Sequence, residues 1–153
     1  MLRDKFTAAL KEAMLAKDQR RVSTVRLIIA ALKDKDIEAR GLGREKATED
    51  EILGLLQKMI KQRAESIETY DKHGRPELAQ QEREEKAIIE SYLPAQMSAD
   101  DVRAAVKAAV AATGAASVKD MGKVMAELKA KFTGKMDFAK ANGVVKEMLT
   151  PPA

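Results

Sequence analysis

The chain contains no cysteine and no tryptophan, and only 3% of its 153 residues are aromatic. Without cysteine it can form neither a disulfide nor a thiolate nucleophile, and its single histidine, His73, cannot complete a zinc site by itself. The shortage of aromatic residues leaves Leu, Ile, Val, Ala and Met to build the core, which favours helices packed on helices over a β-sheet. These absences exclude a zinc enzyme and an enzyme with a cysteine nucleophile.

Long apolar runs are also missing. The N-terminal residues Met1 to Lys5 are charged and lack the apolar core of a signal peptide, and no segment reaches the ~18 consecutive apolar residues of a membrane span. With 45% apolar and 34% charged residues, the composition is that of a soluble folded protein. We therefore expect a cytoplasmic protein without a membrane partner.

Charge is distributed unevenly along the chain. The formal net charge is +4, with an excess of Lys and Arg in residues 1–47 and again in residues 94–153. Residues 48–93 carry an excess of Asp and Glu instead. Two basic ends around an acidic middle indicate an anionic partner, and nucleic acid is the first class to consider.

The segment 91–101 separates two kinds of helical sequence. Pro94 ends the incoming helix just before it, because proline disfavours an α conformation in the preceding residue, Leu93. Ser98 then starts the next helix as an N-cap, and Asp101 adds negative charge to its first turn. The segment is therefore a short hinge between two helical parts.

Apolar residues recur at helical spacing on both sides of this hinge. We predict an all-α fold, with an N-terminal four-helix domain over residues 1–93 and a small three-helix C-terminal domain over residues 98–150. Within the first domain, Thr48 and Glu51 form the sequence signature of a capping box at a helix start. Residues 40–44 contain two glycines among charged residues and predict a surface loop.

The predicted fourth helix has few large apolar residues in its middle. Residues 80–86 are almost entirely polar, so this part either projects into solvent or packs against polar groups. Its acidic residues also lack the histidine partner that a carboxylate metal site needs on a facing helix. We interpret these acids as a solvated face; they are Glu82, Glu84, Glu85 and Glu90.

No catalytic constellation is visible in the sequence. The serines have no neighbouring base, and the Gly-Lys pairs at Gly122 and Gly134 lack both the spacing and the preceding strand of a phosphate-binding loop. His73 precedes Gly74 at a predicted helix end, where interaction with the helix C-terminus explains it without catalysis. We predict no catalytic residue, no cofactor and no metal ion.

Basic side chains form two groups that could bind phosphates. One surrounds the first turn between helices and includes Arg20, Arg21 and Arg26; the other crowds the last helices and includes Lys119, Lys123, Lys129, Lys131 and Lys135. Such groups neutralise phosphates and release counterions, so binding of RNA would depend strongly on salt. The lack of aromatic neighbours argues against sequence-specific reading of single strands. Solvated lysine faces are also common on helical proteins.

Several motifs, in order, cover nearly the whole chain. They are Arg20 to Leu32, Ile60-Lys61-Gln62-Arg63 with Glu65-Ser66-Ile67, Tyr92-Leu93-Pro94-Ala95-Gln96-Met97-Ser98, Asp120-Met121-Gly122-Lys123-Val124-Met125, and Gly134-Lys135-Met136-Asp137. Together they resemble the YqeY (GatB/YqeY-like) family. The resemblance implies a helical domain followed by a three-helix domain similar to the tail of the B subunit of the glutamine-dependent aspartyl/glutamyl-tRNA amidotransferase, where the tail engages tRNA. It assigns Lys123 and Lys135 to RNA contact.

Three hypotheses for function follow. The first is non-catalytic binding of tRNA or structured RNA through the basic C-terminal domain, assisted by the basic N-terminal turn. The second is an adaptor that docks on a tRNA-charging enzyme or an amidotransferase. The third is an accessory component of a glutamine-dependent carbon-nitrogen ligase. This third role would require added subunits, because the ATP- and metal-binding catalytic part of the amidotransferase B subunit has no counterpart here.

Overall fold

The residues that the structure describes form helices joined by turns and irregular segments. The structure is a computed structural model that describes residues 1–150, and no strand occurs among them. Its α-helices are α1 (Leu2–Leu15), α2 (Gln19–Gly41), α3 (Glu49–Lys72), α4 (Pro76–Glu90), α5 (Ala99–Thr113), α6 (Met121–Phe132) and α7 (Phe138–Leu149). A single 3₁₀ turn, Val118–Asp120, precedes α6. The prediction of an all-α fold is confirmed.

Local hydrogen bonds fix the starts of several helices. At α3, the Thr48 hydroxyl accepts from the Glu51 N–H while the Glu51 carboxylate accepts from the Thr48 N–H, as the predicted capping box requires. Ser98 and Asp101 form the same reciprocal pair at α5. Asp137 accepts two backbone N–H groups at the start of α7. These helix starts are therefore encoded by residues close together in sequence.

Helix α2 is longer than the sequence pattern suggests. The loop predicted for residues 40–44 begins later, because the helix continues through Gly41. Ala39 is buried in this last turn, and burial of its methyl group favours the helical conformation over the flexible one that the glycines allow. The chain leaves the helical region at Gly43, whose φ of +81° is a backbone conformation that favours glycine.

Contacts divide the chain into two compact units. The first unit, Met1–Leu93, contains α1 to α4. The large side chains fully buried in its core include Phe6, Ile28, Ile52, Leu56 and Ile89. The Phe6 ring packs edge-on against Tyr92, with ring centroids 5.3 Å apart and an interplanar angle of 84°. This contact holds the last residues of the unit against α1.

The second unit begins at Pro94 and contains α5 to α7. Its fully buried core includes Val106, Val124, Leu128, Ala141 and Val145. The segment before α5 is tied to the turn before α7: Gln96 Nε2 donates to the Gly134 carbonyl at 2.6 Å, and the Met97 N–H donates to the Lys135 carbonyl at 2.9 Å. Residues that precede the helices are thereby part of this unit's structure.

Candidate nucleic-acid interface

Four of the candidate lysines in the second unit have exposed side chains that form no ion pair within residues 1–150; they are Lys119, Lys123, Lys129 and Lys135. Lys119 lies on the 3₁₀ turn, Lys123 and Lys129 lie on α6, and Lys135 lies in the turn before α7. Lys131 differs, because its Nζ lies 2.7 Å from the Glu127 Oε1 one turn earlier on α6. That contact partly neutralises Lys131, whereas the other four charges face solvent.

Helix α6 does not present all its lysines on one face. Successive residues of an α-helix are rotated by about 100°, so Lys123, Glu127 and Lys131 lie on one stripe. The same geometry places Lys129 about 160° away from Lys131 around the helix axis. Lys119 lies on the turn that leads into the Lys123 end of α6. A single flat ligand surface could therefore contact Lys119 and Lys123 more readily than all five lysines.

Three of the six acidic side chains in residues 94–150 bind backbone N–H groups rather than lysines. Asp101 and Asp137 cap α5 and α7. Asp120 accepts from two backbone N–H groups at 3.0 and 3.3 Å. Its pKa is lowered, first by the hydrogen bond from the Ala116 N–H and to a smaller extent by the charge of Lys123. Since these acids are used for helix capping, they leave the exposed lysines largely uncompensated.

The three candidate arginines of the first unit lie in different environments. Arg20 Nε donates to Glu84 Oε2 at 3.1 Å, so an acid of α4 already binds it. Arg21 Nε lies 3.7 Å from Asp18 Oδ2, a distance that indicates attraction without a hydrogen bond. Arg26 is exposed and has no ion pair within the described residues. Of the three, Arg26 is therefore the most accessible to a phosphate.

A buried ion pair between α3 and α4 was missed by the sequence interpretation. Glu85 is only 8% exposed, and its Oε2 accepts from Arg63 Nε at 3.2 Å. Arg20 Nη1 approaches the other oxygen of Glu85 at 3.8 Å. The prediction that the acids of α4 form a solvated face is therefore wrong for Glu85, because arginines from two other helices compensate its charge.

The sequence contained a signal for this pair. Arg63 lies within the apolar stripe of α3, and the polar segment 80–86 of α4 required polar partners if it packed inward.

Burial and the charge of Glu85 raise the pKa of nearby Glu82. Within residues 1–150, no group of three or more His, Asp or Glu side chains is arranged to hold a metal ion. The ion pairs of Glu85 with Arg20 and Arg63 therefore join helices of the first unit, and the exposed lysines remain the candidate site.

Comparison with known families places the chain. Its residues 3–149 match the family described as Yqey-like protein, so the chain belongs to that family. The resemblance inferred from the ordered motifs is thereby confirmed.

Among curated proteins, the chain is similar to fungal proteins named "Altered inheritance of mitochondria protein 41, mitochondrial". It is 39% identical over 84 residues to that of Vanderwaltozyma polyspora, covering 55% of this chain and 44% of the relative. The protein of Eremothecium gossypii is 37% identical over 86 residues, covering 56% and 45%. That of Clavispora lusitaniae is 34% identical over 92 residues, covering 60% and 51%. The chain thus spans about half the length of the curated relatives it matches.

The expectation of a cytoplasmic protein is wrong, since these relatives are named as mitochondrial proteins. The expectation relied on the lack of an apolar signal segment. Mitochondrial transit peptides are amphipathic and rich in arginine rather than apolar, so the lack of an apolar segment has no bearing on that location. None of the helices in residues 1–150 is long and apolar enough to cross a membrane.

Proposed function

We propose that the protein binds structured RNA, with tRNA as the first RNA to test, through the exposed lysines of its second unit. The observation that carries the proposal is the use of acids as helix caps, which leaves the charges of Lys119, Lys123, Lys129 and Lys135 without ion-pair partners in residues 1–150. When such lysines neutralise phosphates, counterions are released from the RNA, and this release favours binding. Lys131 contributes less, because Glu127 already binds it.

The resemblance of the C-terminal part to the tail of an amidotransferase B subunit supports the same assignment. We infer that residues 1–93 and 98–150 are separate domains joined by a hinge, the second being the RNA-binding one. Arg26, which lies on α2, is the arginine of the first unit that assists, since Arg20 and Arg21 lie beside acids. The names of the fungal relatives state a location and no activity, so the proposal rests on charge and on the resemblance.

Binding of bulk tRNA to the full chain at about 50 and 200 mM salt tests this proposal. Four phosphate contacts predict a loss of affinity on the order of 100-fold between the two salt concentrations. The change Lys123→Glu with Lys135→Glu should weaken binding at low salt and reduce the salt dependence by about half, because two of the four contacts are lost. Fluorescence anisotropy of labelled tRNA measures both quantities.

A matched control separates specific contact from net charge. Lys58 and Lys61 are exposed on α3 in the first unit, and changing both to Glu alters the net charge by the same amount. This control should bind tRNA with nearly wild-type affinity. Equal weakening by both double changes, or no tRNA binding even at low salt, would contradict the proposal.

A second candidate function, docking on another protein, is favoured by an apolar face of α1. Met14 and Leu15 are 52% and 78% exposed, and with Leu10 and Lys11 they line a shallow cleft of about 430 Å³. Exposed apolar groups of this kind often mark protein contacts. The partner suggested by the family resemblance is a tRNA-charging or amidotransferase protein. Docking of this kind would tolerate salt and the double lysine change but not Leu15→Asp.

A further inference from the structure

Helix α6 has an exposed face that is bordered by a lysine on each side. With a rotation of about 100° per residue, Lys123 and Lys129 each lie about 60° from Ala126, in opposite directions around the helix axis. All three residues are exposed. Val124 and Leu128 are fully buried and lie on the opposite face, against the core of the second unit. The two lysines therefore form the edges of the face that α6 turns away from the core.

The charges at these edges are free to meet a ligand. Lys123 and Lys129 form no ion pair within residues 1–150, and Lys119 on the preceding turn extends the Lys123 edge. The nearest acids are already bound, Asp120 by two backbone N–H groups and Glu127 by a lysine outside this face. The exposed face of α6 is therefore positively charged along both edges.

The middle of the same face carries only small side chains. Gly122, Ala126 and Ala130 are exposed and follow each other at intervals of four residues, between the two lysine edges. A Cβ atom added at Gly122 would meet nothing within 4 Å, so packing inside the protein does not require a glycine there. The helix backbone is therefore open to close approach between the charged edges.

This arrangement fits a groove better than a flat surface. The edges at Lys123 and Lys129 are about 120° apart around the axis, so a flat ligand that contacts one of them leaves the other in solvent. The walls of a groove lie on both sides of an inserted helix and contact both edges at once. Charge complementarity then requires a groove with negative charge on both walls, as the two strands of a nucleic-acid duplex provide.

We propose that this face of α6 lies in the minor groove of double-helical RNA. Lys123 and Lys129 contact phosphates of the two strands, while Gly122 and Ala126 lie against ribose groups between them. The minor groove of A-form RNA is wide and shallow and displays 2′-hydroxyl groups, so a helix face with small residues can reach its floor. The proposal rests on RNA binding by the second unit and names the RNA structure that is bound.

Other nucleic acids fit this face less well. The minor groove of B-DNA is about 6 Å wide and does not admit a helix about 10 Å across. Its major groove admits a helix but is about 8.5 Å deep, so glycine and alanine would not reach the base edges. Single strands are bound by stacking on aromatic rings, and the two aromatic residues of the second unit, Phe132 and Phe138, pack against its core.

Competition against labelled tRNA tests the choice of duplex RNA. The competitors are an RNA duplex of about 16 base pairs, one of its strands alone, and a DNA duplex of the same sequence. The RNA duplex should compete at least about tenfold better than the other two, because only it offers both phosphate walls beside a shallow groove. Equal competition by the single strand or the DNA duplex would overturn this proposal alone, whereas failure to bind tRNA at all would overturn RNA binding as well.

The variant Lys129→Gln separates a groove from a flat ligand. A flat ligand held by Lys119 and Lys123 would not notice the loss of Lys129, whereas in a groove Lys129→Gln and Lys123→Gln should each reduce the salt slope of tRNA binding by about one. Lys107→Gln is the matched control, because Lys107 is exposed on α5 and forms no ion pair within the described residues. A wild-type salt slope for Lys129→Gln, or an equal reduction for Lys107→Gln, would contradict the groove.

A larger side chain in the middle of the face tests close approach without changing charge. Ala126→Leu should weaken tRNA binding about tenfold at about 0.1 M salt, because it holds the helix away and at least one phosphate contact is lost. Ala108→Leu places the same side chain at an exposed position of α5, away from the candidate lysines, and should bind as the wild type does. Unchanged affinity in Ala126→Leu would show that α6 does not enter the groove.

Discussion

The two units use their cationic side chains in different ways. Nine of the ten arginines lie in residues 1–93, whereas eight of the nine cationic residues in 94–153 are lysines. Several arginines of the first unit join separate helices, as Arg63 joins α3 to Glu85 on α4. In the second unit, Arg103 on α5 pairs with Glu147 on α7, and the two side chains are 50% and 63% exposed. Arginine ion pairs thus link helices of the first unit, whereas the lysines of the second unit are exposed and leave its surface positively charged.

The chemistry of the two side chains explains this difference. Arginine has a planar fork of donors that can bind several acceptors at once. Arg3 does so: its Nη1 and Nη2 donate to the two carboxylate oxygens of Asp36 at 2.7 and 2.5 Å, and Nη2 also donates to the Ala47 carbonyl at 3.0 Å. Lysine is a compact, strongly hydrated charge that suits exposed contact with phosphates. The comparison predicts that removing ion pairs harms the first unit far more than the second.

The largest effect is expected for Glu85→Ala. This change leaves the charge of Arg63, whose side chain is 13% exposed, without its carboxylate partner. Breaking such a pair from one side should lower the free energy of unfolding by about 3 kcal/mol, measured by urea denaturation. The double change Glu85→Leu with Arg63→Met removes both charges and should recover most of the loss. A loss as small as that of a surface pair would show that the first unit does not depend on this contact.

The next largest effect is expected for acidification, which removes the stabilisation provided by the Asp36 carboxylate. The hydrogen bond from Arg3, followed by that from the Ala47 N–H, lowers the pKa of Asp36 from 3.8 to about 2. Because the folded pKa lies below the unfolded one, the stabilisation is complete above the unfolded value and is lost as the pH falls toward 2. It amounts to about 2 kcal/mol for this largely buried group.

Urea denaturation between about pH 5 and pH 2 measures this contribution. The difference in unfolding free energy between the wild type and Asp36→Asn should shrink as the pH falls through this range. A constant difference over the whole range would show that Arg3 does not stabilise the ionised carboxylate.

Helix capping in the second unit should have a smaller effect. Asp137→Ala removes the acceptor for two N–H groups at the start of α7 and should cost about 1 kcal/mol. Hydrogen exchange of the first α7 amides reports this loss locally. Asp100→Ala removes an acid from the first turn of α5 without removing its Ser98 cap, so it should cost less. Equal costs would indicate that charge, rather than capping, is what these acids provide.

The smallest effect is expected for Arg103→Ala. The guanidinium Nη2 lies 3.1 Å from Glu147 Oε1, but both side chains are largely solvated. A double-mutant cycle with Glu147→Ala should give a coupling below about 1 kcal/mol. A coupling as large as that between Arg63 and Glu85 would remove the difference between the two units.

Helix positions and several helix ends could be predicted from the sequence, because capping depends on residues three apart. Thr48 with Glu51 and Ser98 with Asp101 have this spacing, and the structure contains both reciprocal pairs. The end of α2 could not be predicted in the same way. Its glycines favour a loop, and burial of Ala39 against the rest of the first unit extends the helix.

The candidate lysines could be named from the sequence, but their pairing could not. Helical spacing allows Glu127 to pair with Lys123 or with Lys131, since each is four residues away. The structure pairs Glu127 with Lys131 and leaves Lys123 exposed.

The sequence by itself determined the family, the all-α class and the helix starts, since these depend on short motifs and on interactions within one or two helical turns. The tertiary structure alone decided which charges are buried or free. Arg3 binds Asp36 33 residues away, and Arg63 binds Glu85 22 residues away. Such pairs depend on which helices pack together, and helical periodicity specifies the face that a residue occupies but not the element that covers it.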